Sequence, residues 1–387
     1  MEGHMDYTRV LSGLVAIDTS VPPGKNYDRA VAYLEPLFRQ VGCETHVVAI
    51  PPEHAEGLTG RVNLIAHRRA QGRPRLIFYG HIDVVPAEGW PAFQPQVRDG
   101  KLYGRGAADM KGGIVALLGG LEAVKNKPLK YDISVAITTD EEVSQASQLR
   151  YLARFLDPVN GADVLCLDSN FGYVAIAGLG ALHFDIRVKG KSVHSGLSHL
   201  GVNAVENTVP LLNALLELKQ KVTQRQSRIA THPDTNLTRM VPRLNVNRIN
   251  GGLKVNIVPE SCVIAVDRRT IPEENLADAE KELLDCLTSV QGIDWEIEKT
   301  FRIPAGPVCE GAIIDELAAI IKQVTGSTGK YGEMGSGDLS HVVANHWQGR
   351  EFGLGVIRPD CNIHGQDEFV HIKDMEAVGE IIARFVA

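Results

Sequence analysis

Leu76-Ile77-Phe78-Tyr79-Gly80-His81-Ile82-Asp83 joins an apolar run to a histidine and a carboxylate across a single glycine. The run reads as a strand over 75–79, and His81 and Asp83 then lie just past its carboxyl end, where α/β sheets hold their ligand sites. Further strand candidates stand at 63–66, 133–138 and 164–167. Between and before them are apolar helical patterns at 7–17 and 27–41 and a buried-type helix rich in Ala, Leu and Gly at 113–124. This alternation predicts an α/β layer, a central mixed sheet flanked by helices on both faces.

From about residue 180 the texture changes. Strand patterns at 181–188, 243–249, 261–267 and 295–300 are interleaved with helical ones at 203–218 and 274–290. The order strand, helix, two strands, helix, strand is that of a ferredoxin-like α+β unit. Amphipathic patterns at 313–324 and 374–385 then complete the first domain, so the unit is inserted. The expected division is 1–179 with 294–387 for the α/β domain and 180–293 for the insert. Two domains also suit 387 residues, a length beyond which a single core rarely grows.

Composition excludes several classes. A net charge of −7 with no dense Lys/Arg block argues against nucleic acid or an anionic membrane as a partner. No apolar stretch approaches the length of a membrane span, and no secretory leader pattern opens the chain, so the expected location is the cytoplasm. Cys43, Cys166, Cys262, Cys286, Cys309 and Cys361 are scattered without a CxxC pair and are expected to be reduced thiols. The opening Met1-Glu2-Gly3-His4-Met5 resembles a cloning remnant, and His4 is assigned no role.

Chemistry-bearing residues gather at the ends of the predicted strands. Gly104-Arg105-Gly106-Ala107-Ala108-Asp109-Met110-Lys111-Gly112-Gly113 has neither GxGxxG nor a P-loop ending; its glycines suit a backbone bent tightly around a site, with Asp109 at the start of a helix. The strand at 133–138 leads to Asp140-Glu141-Glu142, three acids whose mutual repulsion bound cations would relieve. Asp168 ends the next strand, and His364 lies in a turn before Gly365. Together His81, Asp109, Glu142, Asp168 and His364 offer a mixed nitrogen and oxygen set suited to zinc, cobalt or manganese.

The order H-x-D, GRGAADMKGG, DEE, a strand-terminal acid and a late histidine resembles the dinuclear-zinc amidohydrolase and peptidase family. That family includes acetylornithine deacetylase, succinyl-diaminopimelate desuccinylase, aminoacylase, glutamate carboxypeptidase and carnosinase-type dipeptidases. Lys191-Ser192-Val193-His194-Ser195-Gly196, Gly251-Gly252 followed by Asn256-Ile257-Val258-Pro259, and Asp267-Arg268-Arg269 look like the family's inserted-domain signatures, and the resemblance spans nearly the whole chain.

The resemblance implies two divalent ions, zinc foremost, with Asp109 bridging them and His81, Glu142, Asp168 and His364 as the other ligands. Asp83 would orient His81, and Glu141 would be the general base. It further implies that the insert is a lid and dimerisation domain that makes the protein a homodimer. His194 would then serve the partner subunit's active site, and Arg269 and Asn247 would grip the substrate. The implied activity is cleavage of a small N-acyl amino acid, as by acetylornithine deacetylase or succinyl-diaminopimelate desuccinylase.

The sequence departs from many deacylases in carrying Asp168-Ser169 in place of Glu-Pro, which is closer to the dipeptidase and aminopeptidase branches. A dipeptide-like substrate is therefore the alternative. Gly335-Ser336-Gly337-Asp338 resembles the small-residue-plus-Asp motif near the family's substrate pocket. A non-catalytic small-molecule binding protein on the same fold is the reading from another class, and a redox role lacks the dinucleotide fingerprint it would need.

Overall fold

The computed structural model describes residues 6–156, 162–327 and 329–387; residues 1–5, and with them His4, lie outside these. The chain forms two compact units. The first runs to Ile176 and resumes over Val308–Tyr331 and Asp338–Ala387; the second comprises Ala177–Pro307 and Gly332–Gly337.

The first unit is built on an eight-stranded mixed sheet, in the order Glu44–Ala49, Val62–Arg68, Asp132–Thr138, Arg75–His81, Asp163–Cys166, Arg350–Gly353, Val174–Ala177 and Lys330–Gly332. Asp132–Thr138, Arg75–His81, Asp163–Cys166 and Arg350–Gly353 run parallel, and the strands on either side of this group pair antiparallel. Parallel strands covered on both faces need apolar side chains on both, and Leu76, Ile77, Phe78 and Tyr79 are all buried. Ile77 and Tyr79 join the core containing Leu149, Leu152, Leu339 and Trp347. Four of the strands escaped the sequence reading, two of them, Val174–Ala177 and Lys330–Gly332, only four and three residues long. Glu44–Ala49 is an edge strand with mostly exposed side chains, and Arg350–Gly353 is short and begins with two charges, so neither shows an apolar run.

Gly112–Ala123 packs against the closing helix Ile372–Val386, and its stretch from Gly112 to Leu121 is buried all round. The helix axes approach closely because Gly120 has no side chain: a Cβ there would lie 2.8 Å from the Gly379 carbonyl oxygen and 2.9 Å from Ile382 Cβ.

The second unit holds a four-stranded antiparallel sheet in the order Arg243–Gly251, Ser261–Thr270, Gly180–Lys189 and Trp295–Ile303. The first and third strands in chain order are central, which is the ferredoxin-like arrangement. Burial alternates residue by residue along Ser261–Thr270, the signature of a sheet with one face packed. Ala204–Val222 and Leu276–Thr288 contribute Leu211, Leu215, Leu283 and Leu287 to that core. Each helix begins at an asparagine, Asn203 or Asn275, whose side chain accepts two first-turn amides.

The chain returns to the first unit at Val308, where the sequence reading sets the return at 294. Trp295–Ile303 pairs along Gly180–Lys189, so its backbone hydrogen bonds belong to the second sheet. The insert also begins at Ala177 and includes the distant Gly332–Gly337, tied in by Gly332 N–H to Ala230 O (2.8 Å) and Glu333 N–H to Ala177 O (2.8 Å).

Gly120→Ala should destabilise the protein by about 1–3 kcal/mol, because overpacking against backbone outweighs the gain of about 1 kcal/mol in helix propensity. A lower urea midpoint for the variant is the expected result, and an unchanged or higher midpoint would refute this account of the helix contact.

Candidate metal centre

Asp132–Thr138, Arg75–His81 and Asp163–Cys166 are parallel neighbours, so their carboxyl ends open on one side of the sheet. His81 is the last residue of Arg75–His81, Glu141 and Glu142 follow Asp132–Thr138, and Asp168 follows Asp163–Cys166. Asp109 comes from the turn before Gly112–Ala123, and His364 follows the short Pro359–Cys361 turn. All six side chains converge in the first unit as two groups, His81 with Glu141 and Asp168, and Asp109 with Glu142 and His364, the ligand atoms of each lying within 4.8 Å of one another.

Asp109 faces both groups. Its Oδ1 is 3.5 Å from His81 Nε2 and its Oδ2 is 3.1 Å from His364 Nε2. Asp168 Oδ2 approaches His81 Nε2 to 3.6 Å, and Glu142 Oε2 approaches His364 Nε2 to 3.2 Å. The pairing that the sequence leaves open is thus His81 beside Asp168 and Glu142 beside His364.

His81 is wholly buried, and its Nδ1 lies 3.1 Å from the Asp83 main-chain carbonyl. A carbonyl only accepts, so Nδ1 carries a proton, and Nε2 is the nitrogen free to act as a ligand once deprotonated. Nε2 has no hydrogen-bond partner among the described residues. Its distances of 3.5 and 3.6 Å to the two carboxylates are near the ~3.3 Å expected between two ligands each ~2.0 Å from a tetrahedral cation. The orphaned nitrogen and the donor set fit divalent cations.

Asp83 is engaged differently from a simple imidazole partner. Its Oδ1 is 3.5 Å from His81 Nδ1, while its Oδ2 accepts the Glu142 amide at 3.0 Å, so one buried side chain spans two strand ends. Burial foremost, and then the charges of Asp168, Asp83 and Glu142, push the Glu141 carboxyl well above the usual carboxylate range. Hydrogen bonds to Asp109 and Glu142 raise His364 to about 10. Burial lowers the His81 pKa, but the Asp109, Asp168 and Asp83 carboxylates more than offset it and hold the group well above its ordinary value. The surrounding carboxylates thus favour the protonated form of both imidazoles.

A profile of Peptidase family M20/M25/M40 matches residues 77–387. The chain belongs to this family. It is 29% identical to a succinyl-diaminopimelate desuccinylase of Psychrobacter sp. over 86% of this chain and 84% of that protein. Its fold is shared with human carnosine dipeptidase 1, with a TM-score of 0.75, 18% identity and coverage of 98% and 95% of the two chains. An M20 family metallo-carboxypeptidase from Sulfolobus solfataricus has a TM-score of 0.77 at 16% identity, covering 98% of each chain. As an M20 family member, the protein is a hydrolase acting on small amide C–N bonds.

His194, Asn247 and Arg269 lie in the second unit. His194 is exposed on the short strand Val193–His194, with Nδ1 accepting the Gly196 amide at 3.1 Å. Asn247 is exposed at a register shift between Val246 and Arg248. Arg269 is half-buried, and its guanidinium donates to Asp267 Oδ1 (2.8 Å) and Ser336 Oγ (3.0 Å).

The structure also involves residues that the sequence reading passed over. Asp140 does not crowd the two glutamates: its carboxylate accepts from Arg61 Nε (2.8 Å), Tyr27 Oη (2.7 Å) and Gln148 Nε2 (2.6 Å), all buried. In the Gly335–Asp338 motif, Ser336 belongs to the second unit, whereas Asp338 in the first accepts the amides of Gln145 (2.7 Å) and Ala146 (3.0 Å) just beyond Glu142. Arg61 and Tyr27 stand far from Asp140 in sequence and carry no motif. Only their burial as polar groups marks them.

A divalent cation entering the Asp109, Glu142 and His364 group must displace the His364 proton. Because the pKa is raised to about 10, the ring is protonated below that pH, so affinity should increase with pH up to about 10 and weaken as pH falls. Calorimetric titration at pH 8 in buffers of different ionisation enthalpy should show proton release, and no buffer dependence would remove His364 from the ligand set.

Proposed function

We propose that the protein is a two-metal amidohydrolase of small N-acyl amino acids, with an N-succinyl or N-acetyl amino acid as substrate. We take zinc to be its ion, with cobalt or manganese able to substitute. The observation that carries the reading is Asp109, whose two carboxylate oxygens face the two imidazoles. In this reading Asp109 would be shared by both ions, His81 and Asp168 would hold one, and Glu142 and His364 would hold the other. When bound, the ions lower the pKa of a water and polarise the scissile carbonyl.

Glu141 takes the proton from the attacking water as its oxygen bonds to the carbonyl carbon. It delivers that proton to the amide nitrogen as the C–N bond breaks, leaving an amine and a carboxylic acid that gives up its remaining proton to solvent. Asp83 acts by holding His81 and the Glu142 main chain. Arg269, steadied by Asp267 and Ser336, is suited to a substrate carboxylate, and Asn247 assists it. A dipeptide substrate is the second reading, favoured by Asp168 at a position where many deacylases carry glutamate.

We further infer a homodimer formed through the insert, with His194 completing the partner subunit's site at the oxyanion. Val209, Leu216 and Ile249 are exposed, the first two on one helix and the third on the edge strand Arg243–Gly251, and Val205 of that helix lies against Gly251 of the strand. A second copy would cover both the apolar stripe and the open strand edge. No helix of the described residues is long and apolar enough to cross a membrane, and no disulfide joins the six cysteines, which suits a reducing cytoplasm.

Metal-stripped protein reconstituted with zinc, cobalt or manganese should cleave N-succinyl-diaminopimelate or N-acetylornithine in preference to simple dipeptides; the reverse preference would install the dipeptidase reading. Glu141→Ala should lower kcat by about 10²–10⁴ while both ions stay bound, and near wild-type turnover would exclude Glu141 as the base. Sedimentation should give twice the chain mass of 42.1 kDa, and Val209→Asp with Ile249→Asp should yield monomer. A wild-type monomer would rule the dimer out.

A further inference from the structure

Glu368 is four residues past His364 and directly precedes the strand Phe369–His371, which pairs antiparallel with Lys101–Tyr103. That pairing sets Glu368 beneath the turn that presents Asp109. Its main-chain carbonyl accepts the Gly104 amide at 2.8 Å. Its carboxylate is wholly buried, and each oxygen is used twice. Oε2 accepts from Arg105 Nη1 (2.7 Å) and the Gly106 amide (3.1 Å), and Oε1 accepts from the amides of Ala108 (3.1 Å) and Asp109 (3.2 Å). A carboxylate has about four acceptor positions, so this one is saturated.

Arg105, only 3% exposed, completes the connection: its other terminal nitrogen, Nη2, donates to the His364 carbonyl at 3.0 Å. A continuous set of contacts thus runs from the Asp109 amide through Glu368 and Arg105 to the His364 main chain. The backbone it grips needs holding, since Gly106 lies at φ 81° and a Cβ there would meet Val84 Cγ1 at 2.5 Å. His81 and Asp168 touch neither member of the pair in these hydrogen bonds; they are placed by adjacent strand ends.

We propose that Glu368 and Arg105 are positioning residues that set Asp109 against His364. Through that spacing they govern how firmly the Asp109, Glu142 and His364 half of the centre holds its ion. The assignment rests on the two-metal reading. Asp109 serves both halves but His364 only one, so loosening the connection weakens the His364 half first and the His81 half far less.

Glu368→Gln preserves shape but turns a donor-bearing amide nitrogen toward groups that can only donate, and removes the charge facing Arg105. Arg105→Lys keeps the charge but loses the fork that reaches Glu368 and His364 together. Ion affinities are read by competition with a chelator, and metal content by mass spectrometry after dialysis, beside circular dichroism and thermal melting of each variant. Where wild type holds two zinc ions, the folded variants should retain about one, with one affinity lowered about 10–100-fold and the other unchanged.

Two ions held at wild-type affinity in both folded variants, loss of both ions together, or failure of both variants to fold would each overturn the assignment. If Glu368→Gln alone fails to fold, Arg105→Lys decides it by the same readouts. Wild-type protein that never binds two ions would instead overturn the two-metal reading.

Discussion

The charge of the carboxylates gathered at the carboxyl ends of three adjacent strands is the constraint to which the first unit answers. Asp83, Asp109, Glu141, Glu142 and Asp168 sit in or beside a buried site, where like charges repel strongly and water cannot screen them. Two imidazoles face them directly. Their raised proton affinity reflects the same negative field that a divalent cation would relieve.

The acids nearby that do not face the centre are each neutralised separately. Asp140 turns to Arg61, and Glu368 turns to Arg105 and three amides. A buried ion pair is weak evidence for stability, since desolvation offsets most of the attraction. What these pairs do visibly is hold backbone in otherwise unfavourable shapes. Asp140 sits at φ 65°, immediately before the two glutamates that go to different groups, and its carboxylate is fastened at both oxygens. Consecutive residues can serve two half-sites only if the turn that separates them is rigid.

Architecture and chemistry are separable here. The same frame carries human carnosine dipeptidase 1 and a metallo-carboxypeptidase from Sulfolobus solfataricus at identities below 20%, so the fold by itself does not fix the substrate. The second unit has its own core and its own sheet, and Arg269, proposed to grip the substrate, is already restrained there by Asp267 and Ser336. Restraint of a long cationic side chain before binding lessens the entropy lost on gripping a carboxylate.

Local pattern was enough to read the α/β class, the ferredoxin-like order and five of the six converging side chains, Glu141 being marked by the family resemblance, because apolar periodicity and acids after apolar strands are properties of contiguous residues. It did not reveal the edge strand Glu44–Ala49, which has no apolar run, or the end of the insert, which depends on which sheet accepts the hydrogen bonds of Trp295–Ile303. Nor could it sort His81 with Asp168 and Glu142 with His364, or find Arg61 for Asp140 and Arg105 for Glu368. Those pairings join residues from 79 to 263 positions apart. The residue types of a site are written along the chain, but its partnerships are decided by burial, where each polar group must find whatever complement the folded backbone brings within reach.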